Sequence, residues 1–238
     1  MESLYIVIPA YNEEKNIRQV IDEWYPIVAK HEGGGDSRLV IINDGSKDNT
    51  YNMAVQCKGS RPLLEVQSKP NGGHGSALLY GYCYAIKNHA QYIFQTDSDR
   101  QTLPDEFDEF WKLKDEYDAV IGERNNRGDG RMRIFVEKVL LLILRMIFHV
   151  TMPDSNAPYR LIKAELMEKY IPLLPQNYNL PNVMLTTFFV YYKEKVKFVP
   201  ITFKPRQEGE NSINLKKIVK IGWKAIGDFK IIYKKMKN

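Results

Sequence analysis

Two aspartates separated by one residue, Asp97-Ser98-Asp99, are the most suggestive chemical feature of this 238-residue chain. They directly follow residues 92–95, a short run whose composition predicts a β-strand. At a strand end both carboxylates can reach one hard divalent cation, and that cation keeps positions open for phosphate oxygens. We therefore predict that Asp97 and Asp99 hold Mg²⁺ or Mn²⁺, which would neutralise the charge developing on a departing diphosphate. Alone, the pair has low specificity, because ordinary loops also carry such acids.

The elements around this loop alternate between strand and helix patterns. Apolar runs typical of buried parallel strands are separated by segments with helical spacing. The alternation predicts an α/β fold with a mostly parallel sheet, and ligands of such sheets bind beyond the carboxyl ends of the strands. The predicted strands are residues 4–9, 39–42, 63–66, 92–95, 119–122 and 196–203. The predicted helices are residues 13–29, 46–57, 75–89, 104–114, 134–150, 164–170, 182–192 and the tail from 215, with turns in the rest of 153–175.

The loop after the first predicted strand is a candidate nucleoside site. Pro9, Ala10 and Tyr11 offer a flat apolar ring, and the carboxylate of Glu13 lies two residues further on. A nucleoside could bind against such a loop. An acid at the beginning of a helix is also favourable in itself, so Glu13 has a structural alternative.

Two further loops follow predicted strands. Asp44 could accept a hydrogen bond from a base or a ribose hydroxyl, or it could stabilise its own turn. Gly73 belongs to a glycine-rich loop in front of a predicted helix, where backbone can approach a ligand. This loop is not a dinucleotide fingerprint, because Leu78 occupies the position of the third glycine.

A polar, glycine-containing segment at residues 123–133 carries four arginines. Guanidinium groups bind phosphates through paired hydrogen bonds, so an acceptor phosphate or a leaving diphosphate is a reasonable ligand. For any one of these arginines the alternative is a solvated basic loop. The arginines of the segment are Arg124, Arg127, Arg131 and Arg133.

Four motifs together resemble the inverting family-2 glycosyltransferases. They are residues 8–14, 43–46, 71–75 and 97–101, and their order and spacing agree over about the first 125 residues. The resemblance implies a GT-A fold and a nucleotide-sugar donor. The residues expected to contact the donor are Pro9, Ala10, Tyr11, Glu13, Asp44, Gly73, Asp97 and Ser98.

Later segments resemble the polyprenyl-phosphate branch of that family, which includes dolichyl-phosphate mannose synthase and the undecaprenyl-phosphate glycosyltransferases. They are residues 97–101, 122–124, 154–160, 199–201 and 206–212. The resemblance implies Gln101 as a third metal ligand and Asp154 as a general base, although Asp154 could instead pair with Arg160. The residues expected to bind an acceptor phosphate are Arg124, Arg131, Arg133 and Arg206. The expected catalytic residues are Asp99, Asp154, Arg124 and Arg206.

The chain departs from the family pattern at three places. Asn43 replaces the first of two acids that usually precede Gly-Ser, so its donor contact must differ. The Gln-x-x-Arg-Trp motif of processive synthases is absent, which indicates transfer of a single sugar. Asn156, Ala157 and Pro158 replace smaller residues, which weakens the acceptor-side prediction.

Composition and charge limit the other possibilities. A hydrophobic content of 44% is enough for a substantial core, and Cys57 and Cys83 match no metal or redox spacing. The net charge is +5, yet residues 206–238 alone carry nine Lys/Arg and three Asp/Glu, so the basic excess belongs to the tail. We expect a GT-A domain at residues 1–212 and a basic amphipathic helix at 213–238.

The tail and the apolar segment 134–150 are the two candidates for lipid contact. The tail could bind an anionic membrane or dock on the domain, and 134–150 could bind lipid or join the core. No signal peptide precedes the first predicted strand, and 134–150 is too short and too often interrupted by charge to span a bilayer. We expect a cytoplasmic enzyme at the cytoplasmic face of the membrane, held there by lipid or by a membrane protein.

Two other functions remain open at this level. The donor chemistry could serve a sugar hydroxyl in capsule or cell-wall polysaccharide assembly instead of a lipid phosphate. A basic nucleic-acid-binding protein is the remote alternative, but no recognised nucleic-acid motif supports it, and we expect no nucleic-acid partner.

Overall fold

The first strand, β1 (Leu4–Ala10), is buried along its whole length. Its alternate side chains enter two different cores, Ile6 and Ile8 on one face of the sheet and Tyr5 and Val7 on the other. A strand covered on both faces needs apolar residues at every position, which explains the uninterrupted apolar run.

A seven-stranded sheet organises the chain in this computed structural model, which describes residues 2–32, 34, 36–124, 131–175, 178–205 and 215–237. Only the backbone is described for residues 131–133 and 215–224. The strand order is β3-β2-β1-β4-β6-β5-β7. The other strands are β2 (Arg38–Asp44), β3 (Leu64–Lys69), β4 (Tyr92–Gln95), β5 (Ala119–Arg124), β6 (Arg160–Lys163) and β7 (Val196–Ile201).

Strand β6 is the exception in an otherwise parallel sheet. It lies between β4 and β5 and runs antiparallel to both, whereas the remaining pairs are parallel. The prediction of turns around a short helix for residues 153–175 is therefore wrong at Arg160–Lys163. Only Leu161 and Ile162 of this strand are apolar, which is too short a run to indicate a strand, and its pairing depends on distant neighbours. The prediction of a mostly parallel sheet flanked by helices is confirmed.

Helices cover both faces of the sheet. Helices α1, α2 and α4 pack on one face, and α3, α5, α6, α7 and α8 contribute to the core on the other. The helix predicted from residue 13 begins only at Ile17, because residues 13–16 form a turn. The helices are α1 (Ile17–Lys30), α2 (Thr50–Cys57), α3 (His74–Lys87), α4 (Phe107–Lys112), α5 (Arg131–Phe148), α6 (Ala164–Tyr170), α7 (Pro181–Tyr191) and α8 (Leu215–Met236).

The C-terminal helix packs on α5. Phe229 and Ile232 of α8 are buried, and the ring of Phe148 lies 6.0 Å from that of Phe229 and 5.4 Å from that of Tyr233. The apolar stripe of the described part of α8 is thus used in docking on the domain. The boundary expected at residues 212–213 lies outside the described residues and stays a prediction. Over the part of the chain that the structure describes, no helix combines the length and the apolarity needed to cross a bilayer.

Candidate active site

The predicted donor residues lie along one edge of the sheet. The register pairs Ala10 at the end of β1 with Asn43 near the end of β2, and Val7 with Gln95 at the end of β4. Because β1, β2 and β4 are parallel, the loops that follow them emerge side by side. This edge therefore holds Pro9, Ala10, Asp44 and residues 97–101 after β4, which we call the acidic loop.

The loops after β1 and β2 are joined by hydrogen bonds. The N–H of Asn12 donates to Ser46 Oγ at 3.0 Å, and the N–H of Lys47 donates to Asn12 Oδ1 at 2.8 Å. Asn12 has a positive φ of 55°, a conformation that asparagine tolerates better than most residues. The exposed ring of Tyr11 lies on this fixed loop, where it is accessible to a ligand.

Two residues at this edge have structural partners. Glu13 is buried and accepts a hydrogen bond from Asn16 Nδ2 at 2.7 Å, just before α1. Asn43, which replaces an acid of the family pattern, donates to Ser68 Oγ at 2.8 Å and accepts from the N–H of Ser46 at 3.2 Å. The uncharged amide bridges two strands and their turn, a role in which it can both donate and accept.

Asp44 connects β2 with the glycine-rich loop. Its carboxylate accepts hydrogen bonds from the N–H groups of Gly72 at 3.0 Å and Gly73 at 2.8 Å, and from Lys69 Nζ at 2.5 Å. The carboxylate is buried and holds the loop at its glycines. These contacts are structural, but they join Asp44 to another loop and not to its own turn, and its predicted contact with a donor stays a prediction.

The glycine-rich loop needs two of its glycines. Gly73 has a positive φ of 85°, which strains any residue with a side chain. A Cβ on Gly75 would lie 2.3 Å from the carbonyl oxygen of Tyr178, so only glycine fits. The loop thus brings the beginning of α3 and the backbone of residues 178–179 into direct contact beside the acidic loop.

Asp97 is oriented by neighbours that belong to other elements. Gln95 Nε2 donates to Asp97 Oδ1 at 3.1 Å, and His74 Nε2 lies 3.8 Å from the same oxygen. Gln95 in turn accepts a hydrogen bond from Asn182 Nδ2 at 3.0 Å within a buried polar network. Asp97 remains partly exposed at the end of this chain of contacts.

Asp99 and Gln101 lie in a loop with fixed geometry. The N–H of Gln101 donates to Asp99 Oδ1 at 3.2 Å, and Gln101 Nε2 donates to the carbonyl oxygen of Lys204 at 2.7 Å. Between them Arg100 has a positive φ of 58° and donates to Glu23 at 2.8 Å. The hydrogen bond to Lys204 assigns the other amide atom of Gln101 as an acceptor oxygen.

The donor set of this loop fits a hard divalent cation. Two carboxylates and one amide oxygen are ligands that Mg²⁺ and Mn²⁺ prefer. Within the described ranges, no group of three or more His, Cys, Asp or Glu side chains is arranged to hold a metal. A cation bound by Asp97, Asp99 and Gln101 would therefore complete its coordination with water or with phosphate oxygens of a ligand.

Arg124 is engaged by two carboxylates. Its Nε and NH2 donate to Asp154 at 2.7 and 2.9 Å, and NH2 also donates to Glu137 of α5 at 3.0 Å. The side chains of Arg124 and Asp154 are only 7% and 5% exposed. The pairing of Asp154 with Arg160, the alternative to its role as a base, is absent from these contacts. Arg160 is also buried, and it donates instead to the carbonyl oxygen of Ala157 at 2.8 Å.

The protonation of Asp154 follows from these contacts. Burial raises the pKa of its carboxyl, but the hydrogen bonds and positive charge of Arg124 outweigh burial and hold the pKa below its usual value. The N–H of Asn156 adds a further hydrogen bond at 2.9 Å. Asp154 is thus a stable carboxylate and a weak base.

Four arginines of the predicted phosphate site lie outside the described residues, either wholly or in their side chains. The side chains of Arg131 and Arg133 lie outside what the structure describes, and so do Arg127 and Arg206. Their predicted contacts with an acceptor phosphate stay predictions.

The sequence prediction also missed four residues that contact the site. Gln95 is a polar residue at the end of a buried strand, and Glu137 is the single acid of an apolar helix. Either exception could have been recognised from the sequence. His74 stood within a motif but was not selected, and the carbonyl of Lys204 carried no signal at all.

The described sheet, with its acidic loop beyond the end of a central parallel strand, defines an enzyme fold of the GT-A type. Residues 5–171 match the family model described as Glycosyl transferase family 2. That match spans more than half of the chain, so the chain belongs to glycosyltransferase family 2. It is an enzyme that transfers a sugar from a nucleotide-sugar donor.

Individual relatives are similar to this chain in sequence or in fold. An uncharacterized glycosyltransferase of Synechocystis sp. is 25% identical over 236 residues, covering 96% of this chain and 70% of the relative. Glucosyl-3-phosphoglycerate synthase of Mycobacterium tuberculosis, solved with Mn²⁺, UDP-glucose and phosphoglyceric acid, superposes with a TM-score of 0.71 at 19% identity, covering 98% of this chain and 80% of that chain. TarS of S. aureus, solved with UDP-GlcNAc, has a TM-score of 0.61 at 19% identity, covering 90% of this chain and 62% of that chain.

Proposed function

We propose that this family-2 enzyme transfers one sugar from a UDP- or GDP-sugar to a polyprenyl phosphate, with inversion and with a divalent metal. The observation that supports a phosphate acceptor is the pairing of Asp154 with Arg124 through hydrogen bonds of 2.7 and 2.9 Å. An acceptor hydroxyl needs a base to remove its proton. A phosphate acceptor is already ionised at neutral pH, so it needs none. A site whose predicted base is held in an ion pair suits the ionised acceptor.

The metal is proposed to bind at Asp97, Asp99 and Gln101. The Mn²⁺ and UDP-glucose found in the M. tuberculosis neighbour are consistent with divalent-metal dependence. When bound, the cation would stabilise negative charge on the leaving diphosphate. Gln95 and Lys204 would keep the ligands oriented, since each donates or accepts a hydrogen bond within this loop.

The donor is proposed to lie along the strand-end loops, with the nucleoside against Tyr11 and the diphosphate near Asp97 and the beginning of α3. UDP is the first nucleotide to test, because the fold neighbours were solved with UDP-glucose and UDP-GlcNAc. The helix beginning at His74 presents N–H groups that favour an anion. The enzyme is proposed to act at the cytoplasmic face of a membrane, where a polyprenyl phosphate would be available.

A thermal-shift screen with Mn²⁺ tests the donor. A ligand that binds only the native state raises the free energy of unfolding, by about 2.7 kcal/mol at a concentration a hundred times its Kd. The melting temperature rises accordingly. We expect one of UDP-, GDP- or dTDP-glucose, or the matching GlcNAc or mannose donors, to raise Tm by several degrees with Mn²⁺ and by much less with EDTA. No shift with any nucleotide sugar would contradict the proposed donor site.

A sugar or small-molecule hydroxyl is the second candidate acceptor, because a fold neighbour was solved with phosphoglyceric acid. The variant Asp154→Asn separates the two candidates. With a hydroxyl acceptor, loss of a required base should lower kcat by about a hundredfold or more. With a polyprenyl phosphate we expect a smaller loss, about tenfold or less, since only the position of Arg124 changes. The measurement is kcat on each acceptor with the same donor. The Tm of the variant must lie well above the assay temperature, so that a lower kcat does not reflect unfolding.

A further inference from the structure

Helix α5 exposes an apolar face although its opposite face is buried in the core. Phe135, Val139, Leu142 and Met146 are between 39% and 63% exposed, at intervals of three and four residues. Leu144 and Phe148 on the other side are buried. Large exposed side chains scattered singly are ordinary, but a continuous row along one helix marks a contact surface.

The charges on this face are all positive. Lys138 and Arg145 are exposed between the apolar side chains, and the helix has a single acid, Glu137, whose carboxylate is mostly buried and bonded to Arg124. The adjacent helix α8 exposes Lys230 and Lys234. The outer face of α5 is therefore apolar with a cationic margin.

These charges decide between two occupants. A second copy packed on α5 by two-fold symmetry would bring Lys138 and Arg145 of both chains together with no acid on the face to pair them. A bilayer with anionic headgroups accepts apolar side chains at its interfacial depth and attracts the flanking cations.

We infer that the outer face of α5, defined by Phe135, Val139, Leu142 and Met146 with Lys138 and Arg145, binds an anionic lipid surface. This assigns membrane contact to α5 and not to the apolar stripe in the described part of α8, where Phe229 and Ile232 are buried in docking. The same helix holds Arg124 through Glu137, so the docked face and the predicted acceptor side are parts of one element. The reason for such a surface rests on the proposed lipid acceptor, whereas binding of the protein to a lipid surface is measured without any acceptor.

Vesicle binding by the full chain tests the surface. Wild-type protein should co-sediment with vesicles of equal parts phosphatidylglycerol and phosphatidylcholine, and much less with phosphatidylcholine alone. Leu142→Gln with Met146→Gln should lower the partition constant about tenfold or more, because two apolar side chains no longer leave water. Lys138→Gln with Arg145→Gln should lower it roughly twenty-fivefold, at about a fivefold loss per charge, and only on the anionic vesicles.

The matched control is Val55→Gln with Leu173→Gln, two apolar residues of similar exposure that lie outside α5. It should bind vesicles as the wild type does, and both double variants should keep the thermal shift with the donor and Mn²⁺. Failure of the wild type to bind anionic vesicles, or undiminished binding by the α5 variants, would overturn the inference. So would a dimer in gel filtration without lipid that the α5 variants convert to a monomer.

Transfer to a short, water-soluble isoprenyl phosphate in the absence of vesicles separates this inference from the proposed function. If the short isoprenyl phosphate is glycosylated but the wild-type protein does not bind anionic vesicles, only the lipid-binding role of α5 is wrong. If vesicle binding occurs and no isoprenyl phosphate is glycosylated, the proposed acceptor fails alone.

Discussion

Replacing Asp99 by alanine is expected to lower kcat for sugar transfer by about a hundred- to a thousandfold, and replacing Asp97 should have a similar effect. Each change removes a carboxylate proposed to hold the metal that stabilises charge on the leaving diphosphate, and the loss of one such stabilising contact costs a reaction about this much. The measurement is initial rate against Mn²⁺ concentration at saturating donor. Both variants should need far more metal, or show no metal stimulation.

Asp115→Ala is the matched control for these two variants. Asp115 is an exposed aspartate that pairs with Lys114 just before β5, at the opposite edge of the sheet from the acidic loop. It should leave both the rate and the metal response unchanged. Full metal-stimulated transfer by Asp97→Ala and Asp99→Ala would show that the cation is held elsewhere.

The second large effect is expected on stability. Arg124→Met should destabilise the protein by about 3 to 5 kcal/mol, because it leaves the buried carboxylate of Asp154 and that of Glu137 without their shared cation. Urea denaturation at neutral pH measures the change. Combining Arg124→Met with Asp154→Asn should recover part of the loss, since the double variant no longer buries an unpaired charge at that position.

The pH dependence of this effect has a definite sign. Arg124 holds the pKa of Asp154 below its unfolded value of about 3.9, despite the opposing effect of burial. The pair therefore stabilises the native state above that value and loses its contribution as pH falls through the lower native pKa. The stability difference between wild type and Arg124→Met should shrink below about pH 4. A phosphate-binding arginine without a structural role would change acceptor KM and leave the unfolding free energy nearly unchanged.

The sequence predicted those parts of the fold that depend on local patterns. Residues 92–95 and 164–170 have the predicted element and the predicted bounds, because a short apolar run and an amphipathic helical stripe are both visible in the sequence itself. Strand β6 carries only Leu161 and Ile162 between two basic residues. Its strand conformation depends on pairing with β4 and β5, which no local pattern reveals.

The same limit applies to the candidate site. The acidic loop and the strand-end loops were predicted together because parallel strands bring their carboxyl ends to one edge. The partner of Arg124 is 30 residues away along the chain, so the sequence could assign it a phosphate but not Asp154. Helix α5 is apolar on nearly every side, and periodicity alone does not tell which side its neighbours leave uncovered.

The late position of β6 has a consequence for how the chain is made. Residues 160–163 complete the sheet between β4 and β5, yet β4 begins 68 residues earlier in the chain, at residue 92 against residue 160. Until they emerge from the ribosome, β4 keeps one row of backbone N–H and C=O groups unpaired, with the large ring of Phe94 beside it. An open strand edge of this kind recruits other chains, so nascent or truncated forms ending before residue 160 should depend on chaperones far more than the finished enzyme does.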